Sequence, residues 1–490
     1  MANYFKAAVK ATEKNKRLTV SIDKLDMNGV GVARWQNKPV FIAGALPNET
    51  VEVQVIEQKS KYVRAKLIAV NQQSEQRVIP KCQHFALCGG CDLQMLAITA
   101  QLDFKQGKVS ELFSRSFSAQ KLASTVTPTT LPWQPAIISN PWHYRRKARI
   151  GVQFDKKSHA IIGFRQKGTN DLASIKSCPV LVEPLDAIFP LLKKLLAQLT
   201  VQSAIGHIEV IQADITKGGN VEDKSIESKT TDNDKVELGI VDADSNKGLV
   251  NHNQVVLVVR QLKAMNDADI ELWQRYAQQH NWHVMIDDGH KQQPLVAKNT
   301  TSQLFYTLAD NNKINFASSD FIQINHQVNN AMISQALAWL AISPADTVLD
   351  LFCGLGNFSL ALANKAKFVI GVEGVQVMVD KATDNAQHNG YNNCQFYQAD
   401  LNSDWLTQSW ASAQVFDKVL LDPARAGAEQ AVGQIATLKI PKVLYVSCDP
   451  ATLARDSAIL IAQGYKLEKI SLMDMFSQTK HVETMVLFTQ

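Results

Sequence analysis

No run of eighteen apolar residues occurs in the sequence, and no apolar stretch follows Met1-Ala-Asn-Tyr-Phe-Lys6, so neither a membrane span nor a secretory leader is expected. A soluble, cytoplasmic protein with no membrane partner is the expectation. Cysteine is scarce as well. Seven in 490 residues are too few for a disulfide framework, and in a reducing compartment they are expected as ligands, nucleophiles or core residues. A large surplus of one charge is also missing: 51 Lys plus Arg against 46 Asp plus Glu leave a net +5, which permits a nucleic-acid partner without requiring one. The length exceeds what one core can organise, and two to four domains are expected.

What is present begins with a polar, lysine-bearing lead over residues 1–17, expected to be flexible. Short apolar or alternating segments then follow at Thr19 to Ile22, Val40 to Ile42, Val51 to Ile56 and Val63 to Val70, separated by turns such as Asn28-Gly29 and Pro47-Asn48. They predict a small OB-like β-barrel over residues 18–72. Lys59, Lys61, Arg64 and Lys66 crowd its last hairpin, which suits a phosphate backbone or, equally, a solvated strand face.

Residues 73–300 are expected to form a central α+β domain carrying a cysteine cluster. Cys82, Cys88 and Cys91 fall within ten residues around a Gly-Gly pair, with Cys178 far along the chain. Four thiolates suit tetrahedral zinc or an iron–sulfur cluster, and spacing does not separate the two; His84 is a further zinc candidate, and unliganded thiols are the plain alternative. The run Asn140 to Phe154 predicts a strand with Arg145, Lys147 and Arg149 on one face and Tyr144, Ala148, Ile150, Val152 and Phe154 on the other. Such a cationic row could face RNA or guard a strand edge. Residues 217–248 are polar and read as a surface insertion without chemistry of its own.

Residues 301–490 read as regular α/β. Thr347 to Leu351 is an apolar strand running into Gly354-Leu-Gly356, and Val369 to Val372 ends on Glu373, where an adenosine ribose would be held. Asp400 and Asp422 follow a third and a fourth strand, and a third glycine of the dinucleotide fingerprint is missing because position 359 is Ser. The pattern predicts a Rossmann-like, class I domain that binds S-adenosylmethionine and transfers its methyl group. Asp422-Pro-Ala-Arg425 lacks the Pro-Pro-aromatic sequence of enzymes that methylate base amino groups, which leaves a ring carbon as the expected acceptor.

A pyrimidine carbon is a poor nucleophile until something adds to the ring, and a cysteine can do that. Val443 to Val446 predicts a buried strand and Asp449-Pro450 a helix start, so Cys448 falls at a carboxyl strand end, where ligands gather in such sheets. Its alternative is a small buried hydrophobe. The last strand, from Val482, is expected to return antiparallel, bringing Glu483 beside Cys448 as general base, with His481 as competitor. Cys353 and Cys394 are expected in the core.

Taken together, Cys82 to Cys91, Asp350 to Phe358, Asp422 to Gly427, Ser447 to Asp456 and His481 to Thr484 resemble the RNA uracil-C5 methyltransferase family, and residues 18–72, with Asn28 to Arg34 and Gly44 to Glu49, resemble its TRAM domain. The barrel and cysteine cluster together are similar to the branch that acts on 23S ribosomal RNA. The resemblance implies Cys448 as nucleophile adding to uracil C6, Glu483 as base, and Gln323, Phe352, Asn357, Glu373, Asp400 and Asp422 as contacts to S-adenosylmethionine. It further implies a 4Fe-4S cluster on Cys82, Cys88, Cys91 and Cys178, and a monomer acting on 23S rRNA and not on DNA. Rival functions are uracil-C5 methylation of tRNA or another rRNA site, RNA cytosine-C5 methylation, and a non-catalytic iron–sulfur RNA-binding protein.

Overall fold

In the computed structural model, residues 15–119, 131–216, 250–295 and 303–490 are described. Most of the basic lead and the whole 217–248 insertion lie outside them. The chain divides into two compact units, the first comprising residues 1–141, 165–169 and 422–490, the second residues 142–164 and 170–421.

The first unit opens with a six-stranded barrel: β1 (Arg17–Ser21), β2 (Lys24–Leu25), β3 (Gly31–Trp35), β4 (Lys38–Ile42), β5 (Thr50–Gln58) and β6 (Val63–Gln72), in the order β1-β5-β6-β4-β3-β2. Alternation decides which side chains face in. Val51, Val53 and Val55 of β5 point inward with Val20, Val40, Ile42 and Val63. At the Asn28-Gly29 turn, where Gly29 has φ 74°, the Asp26 carboxylate accepts from the backbone N–H of Asn28 and Val30 at 2.8 and 2.9 Å. Leu46 on the barrel packs with Met95, Leu96 and Ala100 at the start of the helix Ile98–Ala119.

The second unit holds a nine-stranded sheet. Seven strands run in the order β13-β12-β11-β10-β7-β8-β9: β7 (Lys147–Phe154), β8 (Ala160–Arg165), β9 (Leu172–Ser174), β10 (Ile205–Thr216), β11 (Val250–Gln261), β12 (Trp282–Asp287) and β13 (Gln292–Pro294). β14 (Gln303–Thr307) pairs with β10 and β15 (Lys313–Phe316). As its alternation predicts, β7 buries Ala148, Ile150 and Val152. Its cations are less free than a phosphate-binding row would need. Lys147 donates to the carbonyls of Ser318 and Asp320 at 2.6 and 2.7 Å, Arg149 pairs with Glu209, and Arg145 precedes the strand with Nε on the Lys147 carbonyl. The same unit carries four parallel strands, β16 (Thr347–Leu351), β17 (Phe368–Glu373), β18 (Cys394–Gln398) and β19 (Lys418–Leu421), ordered β18-β17-β16-β19.

The remainder of the first unit carries β20 (Lys442–Ser447), β21 (Lys466–Met473) and β22 (Glu483–Thr489), with β22 antiparallel to both others and between them. β20 is apolar because it is buried on both faces, Val443 through Val446 being wholly enclosed. The helix Pro450–Ala462 starts with Asp449 as N-cap, accepting from Ala451 N and Thr452 N, and Pro450 in the first turn.

Candidate active site

Cys448 occupies the junction between β20 and the capped helix. The Ser447 hydroxyl donates to the Asp449 carbonyl at 3.0 Å and accepts from the Asp449 N–H at 3.2 Å, which fixes the turn around the half-buried thiol. In the β20/β22 register Ser447 lies opposite Thr484, so Glu483 begins β22 at the same edge. Its carboxyl is buried rather than solvent-facing, 6% exposed, and burial pushes it up to about 7. Asp422 lies well above the usual carboxylate range through burial and the Glu483 charge. The Cys448 thiol is pushed up to about 11 by burial and then by Glu483 and Asp422, with Arg425 opposing. One thiol and two carboxyl groups thus share a poorly solvated site, where a carboxyl near neutrality is suited to proton transfer. The competitor His481 is exposed and lies against Phe476 with the two rings tilted by 58°, centroids 5.7 Å apart.

The chain between β21 and β22 is clamped. Lys105 of the helix Ile98–Ala119 reaches Asp474 Oδ1 at 2.6 Å and the Phe476 carbonyl at 3.1 Å, with both charges enclosed. Gln101, one turn earlier, exchanges two hydrogen bonds with Gln478, side chain to side chain at 3.0 Å and Gln478 N–H to Gln101 Oε1 at 3.1 Å. The Gln478 carbonyl accepts from Asp92 and Leu93 N–H, both at 3.0 Å. These bonds hold Gln478 at φ 70° and set the approach to Glu483. Sequence reading passed over them, although Gln101, Lys105 and Lys108 form a polar i, i+4, i+7 stripe on a helix.

Five of the six residues matched to cofactor contacts lie in the second unit; Asp422 belongs to the first, with Cys448 and Glu483. Phe352 leaves β16 with φ 63°, a left-handed conformation uncommon for an aromatic residue, and Gly354 and Gly356 continue the turn with φ 53° and 89°. Glu373, at the end of β17, accepts from Gly354 N–H at 3.2 Å and Gly374 N–H at 2.8 Å, tying the glycine turn to the next strand. Asn357 exchanges paired amide bonds of 3.0 Å with Asn329 and accepts from the Tyr306 hydroxyl at 3.1 Å. Asp400 accepts from Asn402 N–H at 3.0 Å. Gln323 is buried, and its Oε1 has no hydrogen-bonding partner among the described residues. Burial pushes both Cys353 and Cys394 up; Cys353 lies in the core as expected, whereas Cys394, at the start of β18, is half-buried.

Cys82, Cys88 and Cys91 share one loop of the first unit, while Cys178 belongs to the second. Cys88 and Cys91 are buried; burial first, then the neighbouring thiols, pushes both up, Cys91 to about 11. Gly90 N–H points to Cys88 Sγ at 3.4 Å. Among the described residues no three His, Cys, Asp or Glu side chains are placed as a ready metal site. The donor set is one of soft sulfur ligands, the kind that zinc and iron–sulfur centres take once the thiols lose their protons.

The strand orders, 3-2-1-4 in one unit and 5-7-6 with an antiparallel seventh strand in the other, together with the glycine turn and acidic strand end, define a class I S-adenosylmethionine-dependent methyltransferase. A family model described as tRNA (Uracil-5-)-methyltransferase matches residues 248–490, and a TRAM domain model matches residues 11–68. The chain is 70% identical over its whole length to the 23S rRNA (uracil(1939)-C(5))-methyltransferase RlmD of Colwellia psychrerythraea, covering 99% of that protein, and 42% identical, with the same coverage, to the enzyme so named from Shewanella halifaxensis. It belongs to the RNA uracil-C5 methyltransferase family. A crystal structure of the Pyrococcus abyssi tRNA (uracil-54, C5)-methyltransferase with S-adenosyl-L-homocysteine superposes with a TM-score of 0.66 at 18% identity, covering 96% of this chain and all of the other, and so shares its fold.

Proposed function

We propose that this protein methylates C5 of one uracil in 23S rRNA, the position 1939 for which its relatives are named. The observation that carries the reading is Cys448 at a strand end with Glu483 and Asp422 sharing its buried surroundings. S-adenosylmethionine supplies an electrophilic methyl group on a sulfonium. The Cys448 thiol gives up its proton to solvent, its thiolate forms a bond to uracil C6, and the C5–C6 π electrons move toward C5 and O4. C5 takes the methyl group as the bond from that methyl to the sulfonium sulfur breaks, leaving the thioether S-adenosylhomocysteine. The Glu483 carboxylate then removes the C5 proton, and the electrons of that C–H bond restore the double bond as the Cys448–C6 bond breaks. Glu483 must enter the step ionised.

Cys82, Cys88, Cys91 and Cys178 would hold a 4Fe-4S cluster, which would balance the charge of the thiolates and hold the loop that carries Asp92 and Leu93. Methyl transfer requires no redox change, so its role is structural. Iron and sulfide analysis of anaerobically purified protein tests this, with zinc in their place as the result against it. The main experiment supplies isotopically labelled S-adenosylmethionine with unmodified 23S rRNA, tRNA or a cytosine-only transcript and maps the product. Label on one uracil of 23S rRNA, absent with Cys448→Ala, supports the reading. Label on tRNA alone or on cytosine would replace it.

A further inference from the structure

Arg146 is 5% exposed, yet among the described residues no carboxylate lies within ion-pair distance of its guanidinium. Nε donates to the Gln323 carbonyl at 2.9 Å, Nη1 faces His326 Nδ1 at 3.4 Å, and the group lies 4.3 Å over the Tyr306 ring. Nη2 has no hydrogen-bonding partner among the described residues. Among the described residues, the side chains that favour its charge are Tyr306, were it ionised, and Asp214. His326 supplies no negative charge, and burial and Arg146 push it down to about 4, so it stays a neutral ring beside the guanidinium. An enclosed cation of this kind is strongly unfavourable unless an anion completes it.

Gln323, whose carbonyl takes the Arg146 Nε bond, has in Oε1 a buried acceptor equally without a donor among the described residues. The surroundings extend through the Tyr306 hydroxyl to Asn357 on the glycine turn. An unused cationic donor next to an unused acceptor is complementary to an α-amino acid, whose carboxylate and ammonium sit on one carbon. An RNA phosphate would answer Arg146 but bring no ammonium to Gln323. We propose that Arg146 Nη2 binds the carboxylate of the methionyl end of S-adenosylmethionine and Gln323 Oε1 its ammonium. This rests on the methyl-transfer reading, and it gives Arg146 a role in holding the cofactor that its place among basic residues does not reveal.

Calorimetric titration with S-adenosylhomocysteine and with 5′-methylthioadenosine, which shares the nucleoside and thioether but has no amino-acid group, tests the assignment. Arg146→Met is expected to weaken S-adenosylhomocysteine by about 10- to 100-fold while methylthioadenosine changes less than about twofold, and Arg146→Lys to recover part of the loss. Retained methylthioadenosine binding also reports that each variant is folded. Should Arg146→Met not fold, Arg146→Gln carries the same comparison with a neutral donor. An equal loss for both ligands, or unchanged S-adenosylhomocysteine affinity with weakened RNA binding, overturns the proposal. Wild-type protein that binds both ligands equally well overturns it alone, whereas wild-type protein that binds neither removes the methyl-transfer reading with it.

Discussion

At the scale of single residues, the unusual feature is that three acidic groups are all held toward their protonated forms in one place. Glu483 moves from the ordinary glutamate value to about 7 because burial withholds water from its charge. A base must be ionised and the Cys448 thiol must lose its proton, so kcat/KM in the free enzyme should be lowest near pH 5, rise steeply up to about pH 7 while Glu483 titrates, and rise less steeply above it because Cys448 is still largely protonated there. A profile without an inflection there would remove Glu483 as the base. Glu483→Gln should allow addition and methyl transfer but not proton removal, so a covalent protein–RNA species resistant to denaturing gels should accumulate, and none with Cys448→Ala. The same shift has a cost in stability. A carboxyl raised on folding contributes stability that is present below its unfolded value and lost as pH rises through about 7. Glu483→Gln should therefore stabilise the fold at pH 8 by up to about 3 kcal/mol and much less at pH 5, measured by chemical denaturation at both pH values.

At the scale of elements, the strand that bears Glu483 is only as well placed as the chain leading into it. That segment is held by the Lys105–Asp474 ion pair, with both side chains nearly inaccessible, and by the Gln101–Gln478 exchange. Lys105→Met would leave Asp474 enclosed without its partner, a loss expected to be about 3–5 kcal/mol in denaturant unfolding. Gln101→Ala is gentler: it removes bonds to the Gln478 backbone and side chain, and should lower kcat by about tenfold with KM for RNA nearly unchanged. Equal stability of Lys105→Met and wild type would show that the segment is held by other contacts. β20 and the helix Pro450–Ala462 behave differently, since an apolar run, an Asp cap and a Pro in the first turn specify them locally.

At the scale of the whole molecule, the barrel and the methyltransferase strands answer to different physics. The barrel hairpin displays Lys59, Lys61, Arg64 and Lys66, with Lys59 and Arg64 reaching Glu57 at 3.1 and 3.7 Å and Arg64 lying over Tyr62. Exposed pairs of this sort contribute little and exchange easily for phosphate. Replacing the four cations by Ala should weaken 23S rRNA binding and reduce the slope of log K against log salt by about three, with kcat at saturating RNA retained. A fall in kcat alone would place the hairpin in the chemical step instead.

Local pattern was enough for much of the molecule. Period-two alternation marked β5 and β7, the Asn28-Gly29 turn and the Asp449-Pro450 start punctuated the chain, and the succession of strand, glycine turn and acidic strand end marked the methyltransferase elements, because each of these is set by residues a few positions apart. Cys448 and Glu483 could be placed at one edge from strand direction alone. Their protonation could not, since desolvation depends on what covers a side chain, and the groups acting on Cys448 come from two other strand ends. Nor could Lys105 be matched to Asp474 across 369 positions, or Arg146 be told from the cations on either side of it, because sequence shows charge while only packing shows which charge has lost its water.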